Sequence, residues 1–356
     1  MKLVFLCHGA GNGGAERAIT TIANEMSYKG HQVELITTSR PKNGYYLDEK
    51  IIHKVICYDK MNVIIRSIKR VFLVRKELKI YKPDCLISFS TVSNLQAILA
   101  SLGLKHRVII SERSDPNQYP SNKLGKMIRN LLYPFANKIV FQTEDARDYF
   151  KESIKKKGSI ILNPISKKMP EPYIGKREKR IVGVGSLIES KNWECFLAAA
   201  SMFLENYPDY TVDIYGDGDK REKLLSIIQN DVNLNGKVNL RGFSASIWDD
   251  IKQAGMYISS SNFEGISNAM IEAMALGIPT ICTDCPIGGA KMIISHNENG
   301  ILVPINNSFE IFQNMQRIAS SQEFSQKLSK NAIKIRELLN IDAIVCRWEE
   351  EIAGDK

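Results

Sequence analysis

Short apolar runs alternate with amphipathic stretches along this chain, and the alternation occurs twice. In the first half, five runs have the length of buried parallel strands: 3–7, 33–37, 85–89, 108–111 and 138–142. Stretches between them, such as 15–29 and 64–79, have helical spacing. After a polar segment from 151 to 180, apolar runs return at 181–185, 211–215, 238–240, 256–259 and 280–283, with helical stretches at 192–203 and 268–276. This pattern predicts a doubly wound α/β sheet in each half.

The length of 356 residues agrees with two domains. We predict Rossmann-like domains at 1–165 and 166–340, with a final helix in 341–356 that packs back on the first. Ligands bind beyond the carboxyl ends of strands in open parallel sheets. Two such sheets facing each other across a cleft would suit a substrate with two parts.

Positive charge is concentrated in the first half. Residues 1–165 hold 27 Lys and Arg against 14 Asp and Glu, a net charge of +13, and the remainder has a net charge of −4. The basic half is expected to meet an anion. Nucleic acid, an anionic membrane and a phosphorylated acceptor are the three candidates.

The sequence predicts a cytoplasmic protein. Its apolar runs fall short of the roughly 18–20 residues that span a bilayer, and 3–7 is too short for the core of a signal peptide. Seven scattered cysteines are typical of reduced thiols. Cys282 and Cys285 have CxxC spacing without a second pair or nearby histidines, which favours packing over metal binding.

The most informative motif covers residues 264–272. Glu264 follows a predicted strand, and Glu272 lies one turn inside the next helix. The intervening Gly265, Ile266, Ser267 and Asn268 fall at the helix start, where unpaired backbone amides bind phosphate or sugar oxygens. The alternative is a capped helix with a solvated glutamate.

Glu264 and Glu272 are followed by Ala273-x-Ala275-x-Gly277-x-Pro279. This arrangement resembles the donor site of family-4 glycosyltransferases, which have the GT-B fold. The resemblance implies that Glu264 contacts the donor sugar as a catalytic residue and that Glu272 holds the ribose hydroxyls. It also implies that the amides of residues 265–268 bind the sugar and the diphosphate.

A second match, at 184–192, resembles the diphosphate site of the same family. Lys191 falls where relatives carry a lysine that neutralises the leaving diphosphate, which makes it a predicted catalytic residue. Ser186 falls where relatives carry an arginine. Arg113, after Ser111-Glu112, replaces a histidine that touches the donor sugar in many relatives. We hypothesise that Arg113 supplies the charge that Ser186 lacks; the alternative is a surface arginine.

Three glycine-containing loops complete the predicted donor site. The loop 11–17 contains Gly13 and Gly14, and the resemblance implies that its glycines lie against the diphosphate and the acceptor. Gly9, Gly11 and Gly14 also fit GxGxxG, but the second strand ends in Thr37-Thr38-Ser39 rather than an acid, which argues against a nicotinamide cofactor.

Gly216 and Gly218 surround Asp217 in a loop like one near the nucleotide in family 4, and Phe243 follows a similar loop near the base. Asp217-Gly218-Asp219 also spells the DxD pattern of metal-dependent enzymes, but its place in the second domain favours a metal-free loop. We therefore expect no metal and no cofactor besides the nucleotide-sugar.

A basic amphipathic helix is predicted at 64–82, and such helices rest on anionic bilayers. Its cations are Arg66, Lys69, Arg70, Arg75, Lys76, Lys79 and Lys82. The alternative is an ordinary solvated helix face. Contact with the inner face of the plasma membrane would agree with the resemblance, because many relatives act on polyprenyl-diphosphate-linked sugars.

These observations predict a retaining glycosyltransferase that uses a UDP-sugar donor. It would transfer a hexose or N-acetylhexosamine to a polyprenyl-diphosphate-linked saccharide in bacterial surface polysaccharide synthesis. Two alternatives remain at this stage. A nucleotide-sugar epimerase of the same fold would act without an acceptor. A nucleic-acid-binding protein would need aromatic residues between the basic ones, and the basic helix offers only Phe72, so we expect no nucleic acid.

Overall fold

A computed structural model of the chain describes residues 1–9, 13–40, 45–57 and 62–354. They form two compact units, one of residues 1–166 with 339–356 and the other of residues 167–338. Each unit has its own parallel sheet covered by helices.

The described residues of the first unit form seven strands in the order β3-β2-β1-β4-β5-β6-β7, all paired in parallel. The strands are β1 Lys2–Cys7, β2 Gln32–Thr37, β3 Ile52–Val55, β4 Cys85–Phe89, β5 Arg107–Ser111, β6 Lys138–Phe141 and β7 Gly158–Ile160. The helices are α1 Gly14–Tyr28, α2 Val63–Tyr81, α3 Thr91–Ser101, α4 Lys123–Leu132, α5 Glu144–Asp148 and α6 Glu152–Lys155, with a 3₁₀ turn at Tyr133–Phe135.

The second unit contains six parallel strands in the order β10-β9-β8-β11-β12-β13. The strands are β8 Arg180–Val184, β9 Thr211–Tyr215, β10 Val238–Gly242, β11 Met256–Ser259, β12 Thr280–Thr283 and β13 Ile301–Val303. The helices are α7 Trp193–Asn206, α8 Arg221–Asn230, α9 Ile247–Ile251, α10 Asn268–Ala275, α11 Ser308–Ser320, α12 Gln322–Ala332 and α13 Ile335–Leu338, with a 3₁₀ turn at Glu189–Lys191.

The last helix of the chain, α14 Ile341–Ala353, belongs to the first unit. Asn340 caps it by accepting hydrogen bonds from the amides of Asp342 (2.9 Å) and Ala343 (3.3 Å). The helix packs on α1 and β5, and the buried ring of Trp348 stacks on Phe89 with centroids 5.5 Å apart. Burial of these large rings holds the end of the chain against the sheet.

In both sheets the strand order reverses beside the first strand of the unit. In the second unit β9 and β10 lie on one side of β8, and β11 to β13 lie on the other. Ligands bind at such a reversal, outside the carboxyl ends of the strands. The segments that follow β8 and β11 contain both motifs of the predicted donor site.

Candidate active site

Lys191 and Glu264 form an ion pair at the strand-order reversal of the second unit. Lys191 Nζ contacts Glu264 Oε1, and the two side chains keep 18% and 23% of their surface exposed. The other carboxylate oxygen, Oε2, accepts a hydrogen bond from Ser261 Oγ at 3.0 Å. The carboxylate is thus held in a fixed orientation and is partly accessible to solvent.

The backbone around Lys191 is tied to the loop that follows β11. Ser260 Oγ donates to the carbonyls of Lys191 and Asn192, both at 3.0 Å. The amide of Asn262 donates to the carbonyl of Ser190 at 2.8 Å. Asn192 has a left-handed backbone (φ 47°) and caps α7, so the chain turns sharply directly after the lysine. These contacts place Lys191 far more firmly than a surface lysine would be placed.

Ser267 caps α10, accepting a hydrogen bond from the amide of Met270 at 3.4 Å. The helix therefore begins beside the Lys191–Glu264 pair, with Gly265 and the buried Ile266 between them. A helix N-terminus carries a partial positive charge that favours anions. The predicted motif thus brings a cation, a carboxylate and a helix start together.

Glu272 is nearly buried in α10, with 7% of the residue exposed. Tyr257 of β11 lies within electrostatic range of both Glu264 and Glu272 and shares a hydrogen bond with Ser267. Burial, with the two carboxylates adding to it, raises the pKa of the Tyr257 hydroxyl well above its usual value. The two glutamates therefore share one neighbourhood, although Glu264 is the more accessible. The ribose role of Glu272 stays a prediction.

Two glycines allow neighbouring loops to approach this site closely. A Cβ on Gly289 would lie 2.0 Å from the carbonyl oxygen of Gly265. A Cβ on Gly216, whose φ is +132°, would lie 2.0 Å from the carbonyl oxygen of Gly185. In both places backbone packs on backbone, which no side chain would permit. The loop after β12 thus packs directly on the loop after β11, and the loop after β9 packs directly on the loop after β8.

The predicted nucleotide loops lie on the β8–β9 side of the site. A Cβ on Gly218 would lie 2.4 Å from the carbonyl oxygen of Leu187, and the nearby Ser186 is exposed. The amide of Gly216 donates to the carbonyl of Gly242 at 2.7 Å, which places the exposed Phe243 just beyond that contact.

The DxD motif shows no metal-binding geometry in the described ranges. Asp217 Oδ1 accepts a hydrogen bond from the amide of Gly218 at 2.9 Å and lies 4.0 Å from Arg221. Nowhere among the described residues do three or more His, Cys, Asp or Glu side chains converge as a metal site would require. Metal independence remains a prediction.

Arg113 lies in the first unit, directly after β5. Its guanidinium stacks on the ring of Phe89 at 4.2 Å and contacts Asn163 Oδ1 through Nη1. Nε and Nη2 are buried without a hydrogen-bond partner in the described part of the chain. Burial lowers the pKa of the guanidinium, and the charge of the neighbouring Glu112 partly offsets this. Arg113 is thus no ordinary surface arginine, but its effect on a diphosphate in the other unit remains a prediction.

Gly13 and Gly14 begin helix α1 of the first unit, where the amide of Gly13 donates to Glu16 Oε2 at 3.2 Å. Gly11 and Asn12 of the same predicted loop lie outside the described residues. Gly13, Gly14 and Arg113 thus belong to the first unit, whereas Lys191 and Glu264 belong to the second.

The predicted basic helix is present as α2, but two of its arginines donate hydrogen bonds to backbone carbonyls of the same unit. Arg70 is buried and donates to the carbonyl of Thr38, so assigning it to a membrane-facing surface was wrong. Arg75 donates to the carbonyls of Ala100 (2.8 Å) and Leu102 (2.7 Å). Lys69, Lys76 and Lys79 remain exposed. In the described ranges, no helix is both long enough and apolar enough to cross a bilayer.

Sequence reasoning missed several residues that build the site. Ser260, Ser261 and Asn262 hold both Lys191 and Glu264, and Gly289 allows the close approach to Gly265. The signal available was the polar run Ser259–Asn262 directly after an apolar strand, because polar residues at a strand's carboxyl end belong to the binding edge of the sheet.

Two family descriptions match the chain. Residues 12–168 match "Glycosyltransferase Family 4", and residues 165–335 match "Glycosyl transferases group 1". Together they cover both units of the fold.

Curated relatives and solved structures agree with these matches. An N-acetylgalactosamine-N,N'-diacetylbacillosaminyl-diphospho-undecaprenol 4-alpha-N-acetylgalactosaminyltransferase of Campylobacter jejuni is 30% identical over 94% of both chains. A second Campylobacter jejuni enzyme, a GalNAc-alpha-(1->4)-GalNAc-alpha-(1->3)-diNAcBac-PP-undecaprenol alpha-1,4-N-acetyl-D-galactosaminyltransferase, is 27% identical over 100% of this chain and 99% of its own. The structure of Anabaena HepE in complex with UDP and glucose superimposes with a TM-score of 0.85, 16% identity and full coverage of both chains. The chain belongs to glycosyltransferase family 4 and is a hexosyl- or N-acetylhexosaminyltransferase with the GT-B fold.

Proposed function

We propose that this enzyme transfers a hexose or N-acetylhexosamine from a UDP-sugar to a polyprenyl-diphosphate-linked saccharide, with retention of anomeric configuration. The observation that carries the proposal is the Lys191–Glu264 pair beside the start of α10. The Campylobacter jejuni relatives, whose names describe diphospho-undecaprenol-linked acceptors, support the acceptor class. HepE, whose complexes contain UDP and UDP-glucose, supports the donor class.

The second unit would bind the donor and stabilise its leaving group. As the bond from the anomeric carbon to the phosphate oxygen breaks, negative charge builds on the departing UDP. Lys191 Nζ and the N-terminus of α10 would stabilise that charge. Preorganised groups of this kind act most strongly where charge develops in the transition state. Ser186 occupies the position at which relatives carry an arginine, so this side of the diphosphate site would have one cation fewer.

Glu264 would orient the sugar rather than attack it. Its carboxylate is held by Lys191 and Ser261, which leaves it suited to accept hydrogen bonds from sugar hydroxyls. In the proposed step, the acceptor hydroxyl oxygen bonds to the anomeric carbon on the face that UDP leaves. Its proton passes to the departing phosphate oxygen, so the configuration is retained without a base from the protein.

The first unit would receive the acceptor. Residues 1–165, which make up most of this unit, carry a net charge of +13, and this charge suits a diphosphate-linked lipid. The exposed lysines of α2 would contact the anionic inner face of the plasma membrane, so the proposal includes a peripheral enzyme on the cytoplasmic side.

A transfer assay tests the proposal. UDP-, GDP- and ADP-sugars are screened by thermal shift, and the stabilising donor is incubated with a synthetic polyprenyl-diphosphate saccharide. We expect a UDP-sugar to stabilise the protein and the product anomer, read by NMR, to match the donor. Lys191→Ala should lower kcat by about 10²- to 10³-fold. The matched control is Lys327→Ala, which removes an exposed lysine paired with Glu298 in the same unit. Inversion of the anomer, or a new UDP-sugar formed without acceptor, would contradict the proposal.

A further inference from the structure

Lys191 and Glu264 pair with each other in the unit that would bind the donor, so each already contacts a group of opposite charge before any substrate arrives. Lys191 Nζ contacts Glu264 Oε1, and 18% and 23% of the two side chains are exposed. Ion pairs that are partly shielded from water are stronger than pairs on the surface. A diphosphate that binds Lys191 therefore competes with the Glu264 carboxylate.

Both members of the pair are anchored to the surrounding backbone. Glu264 Oε2 accepts a hydrogen bond from Ser261 Oγ at 3.0 Å. The carbonyl of Ser261 in turn accepts hydrogen bonds from Thr283 Oγ1 at 2.6 Å and from Cys285 Sγ at 2.9 Å. The carbonyl of Lys191 also accepts a hydrogen bond, which leaves the flexible side chain as the part of this lysine that can move. The carboxylate thus stays in place while the lysine changes partner.

The loop of residues 185–192 has no second cation that could replace Lys191. Its sequence contains one lysine and no arginine, because Ser186 stands where relatives carry the arginine. The same loop contains Glu189, which pairs with Lys220. When Lys191 is paired with Glu264, this loop therefore offers a diphosphate no uncompensated positive charge.

We propose that Glu264 competes with the departing UDP for Lys191 and thereby speeds the release of this product. The inference rests on the proposed function. While the donor sugar is bound, its hydroxyls donate hydrogen bonds to the Glu264 carboxylate, and Lys191 is available to the diphosphate. Once the sugar has been transferred, Glu264 loses those donors and pairs with Lys191 again, which weakens the binding of UDP. Glu264 thus makes the affinity for the diphosphate depend on whether a sugar is present.

Calorimetric titration of UDP into the full chain and its variants tests the inference. Glu264→Gln removes the competing charge and keeps the size of the side chain. It should bind UDP about tenfold more tightly, because the charge-assisted hydrogen bond of Lys191 to the diphosphate no longer has a competitor. The matched control, Glu298→Gln, removes an exposed carboxylate paired with Lys327 in the same unit and should bind UDP as the unmodified chain does. Uridine should bind all three proteins equally, because it has no phosphate.

A double-mutant cycle separates competition for Lys191 from simple repulsion between Glu264 and UDP. Repulsion would weaken UDP binding whether or not the lysine is present. Competition has no effect once the lysine is absent, so Lys191→Ala/Glu264→Gln should bind UDP within about twofold of Lys191→Ala. An equal gain of affinity from Glu264→Gln in both backgrounds would overturn the inference, as would an unchanged UDP affinity of Glu264→Gln alone.

The donor gives a second measurement. Glu264→Gln should lower the affinity for the UDP-sugar relative to that for UDP by about tenfold or more, because the sugar loses hydrogen bonds to the carboxylate while UDP gains Lys191. A parallel rise of affinity for both ligands would contradict the exchange of partners. The proposed function fails if Lys191→Ala alone binds UDP as the unmodified chain does. The inference alone fails if Lys191→Ala binds UDP more weakly and Glu264→Gln binds it no more tightly.

Discussion

The tight contact between Gly289 and Gly265 gives a prediction whose size follows from the structure. A Cβ on residue 289 would lie 2.0 Å from the Gly265 carbonyl oxygen, whereas real Cβ atoms essentially never approach closer than 3.0 Å. Gly289→Ala must therefore displace the backbone between Glu264 and α10 by about 1 Å. A displacement of that size at a reacting site lowers rates by about 10²-fold. We expect kcat/KM for sugar transfer to fall by that factor.

The matched control is Gly236→Ala. A Cβ there meets no atom within 4 Å, but φ is +76°, so the substitution strains the backbone by about 1–2 kcal/mol. It should lower the unfolding free energy in urea while kcat/KM stays unchanged. Initial rates and urea titrations on both variants separate the two effects. Unchanged kcat/KM in Gly289→Ala would refute the claim that the backbone at 265–266 forms part of the donor site.

Three further predictions concern other residues. Glu272→Gln should weaken UDP binding by about tenfold in calorimetry, because a charge-assisted hydrogen bond to the ribose hydroxyls is lost. The affinity for 2′,3′-dideoxy-UDP, which has no such hydroxyls, should stay unchanged. Equal losses of affinity for both ligands would exclude the ribose role. Arg113→Ala should lower kcat by about tenfold or more if its charge acts on the diphosphate, and turnover within twofold of the unmodified enzyme would reject that role. Burial raises the pKa of the Cys285 thiol to about 11. The Cys285 thiol should therefore be protonated at pH 8 and resist alkylation by iodoacetamide in the native protein, whereas the exposed Cys346 should react. Mass spectrometry that finds Cys285 alkylated before Cys346 would contradict this prediction.

The central strands of both sheets could be predicted from sequence because they are continuous apolar runs. Residues 3–7 and 33–37 were predicted, and the structure has β1 Lys2–Cys7 and β2 Gln32–Thr37. The edge strands β3, β7 and β13 were missed, since they have only three or four residues and β3 is partly exposed. Such segments have too little apolar periodicity to be identified alone.

Helix α4 was missed for a different reason. Its apolar residues have helical spacing, but they face solvent, and an arginine takes the buried position. The spacing of apolar residues identifies an apolar stripe on a helix, but it does not show whether that stripe is buried or faces solvent. The direction of the stripe depends on tertiary contacts of Arg129 with carbonyls 10 and 13 residues earlier.

The residues of the site could be predicted from the sequence, but the contacts between them could not. Glu264 and Lys191 were each identified from a local motif, yet 73 positions separate them, and their ion pair depends on strand order. Their joint placement follows from β8 and β11 being neighbours at the point where the strand order reverses. No local pattern contains that information.

Calorimetric titration of UDP and of uridine into the unmodified chain, Lys191→Ala and the control Lys327→Ala tests the central claim most directly. If the second unit holds the nucleotide diphosphate at Lys191, UDP should bind Lys191→Ala at least about tenfold more weakly, because a charge-assisted hydrogen bond is lost. Uridine should bind all three proteins equally. UDP affinity that is the same in Lys191→Ala as in the unmodified chain would contradict the account.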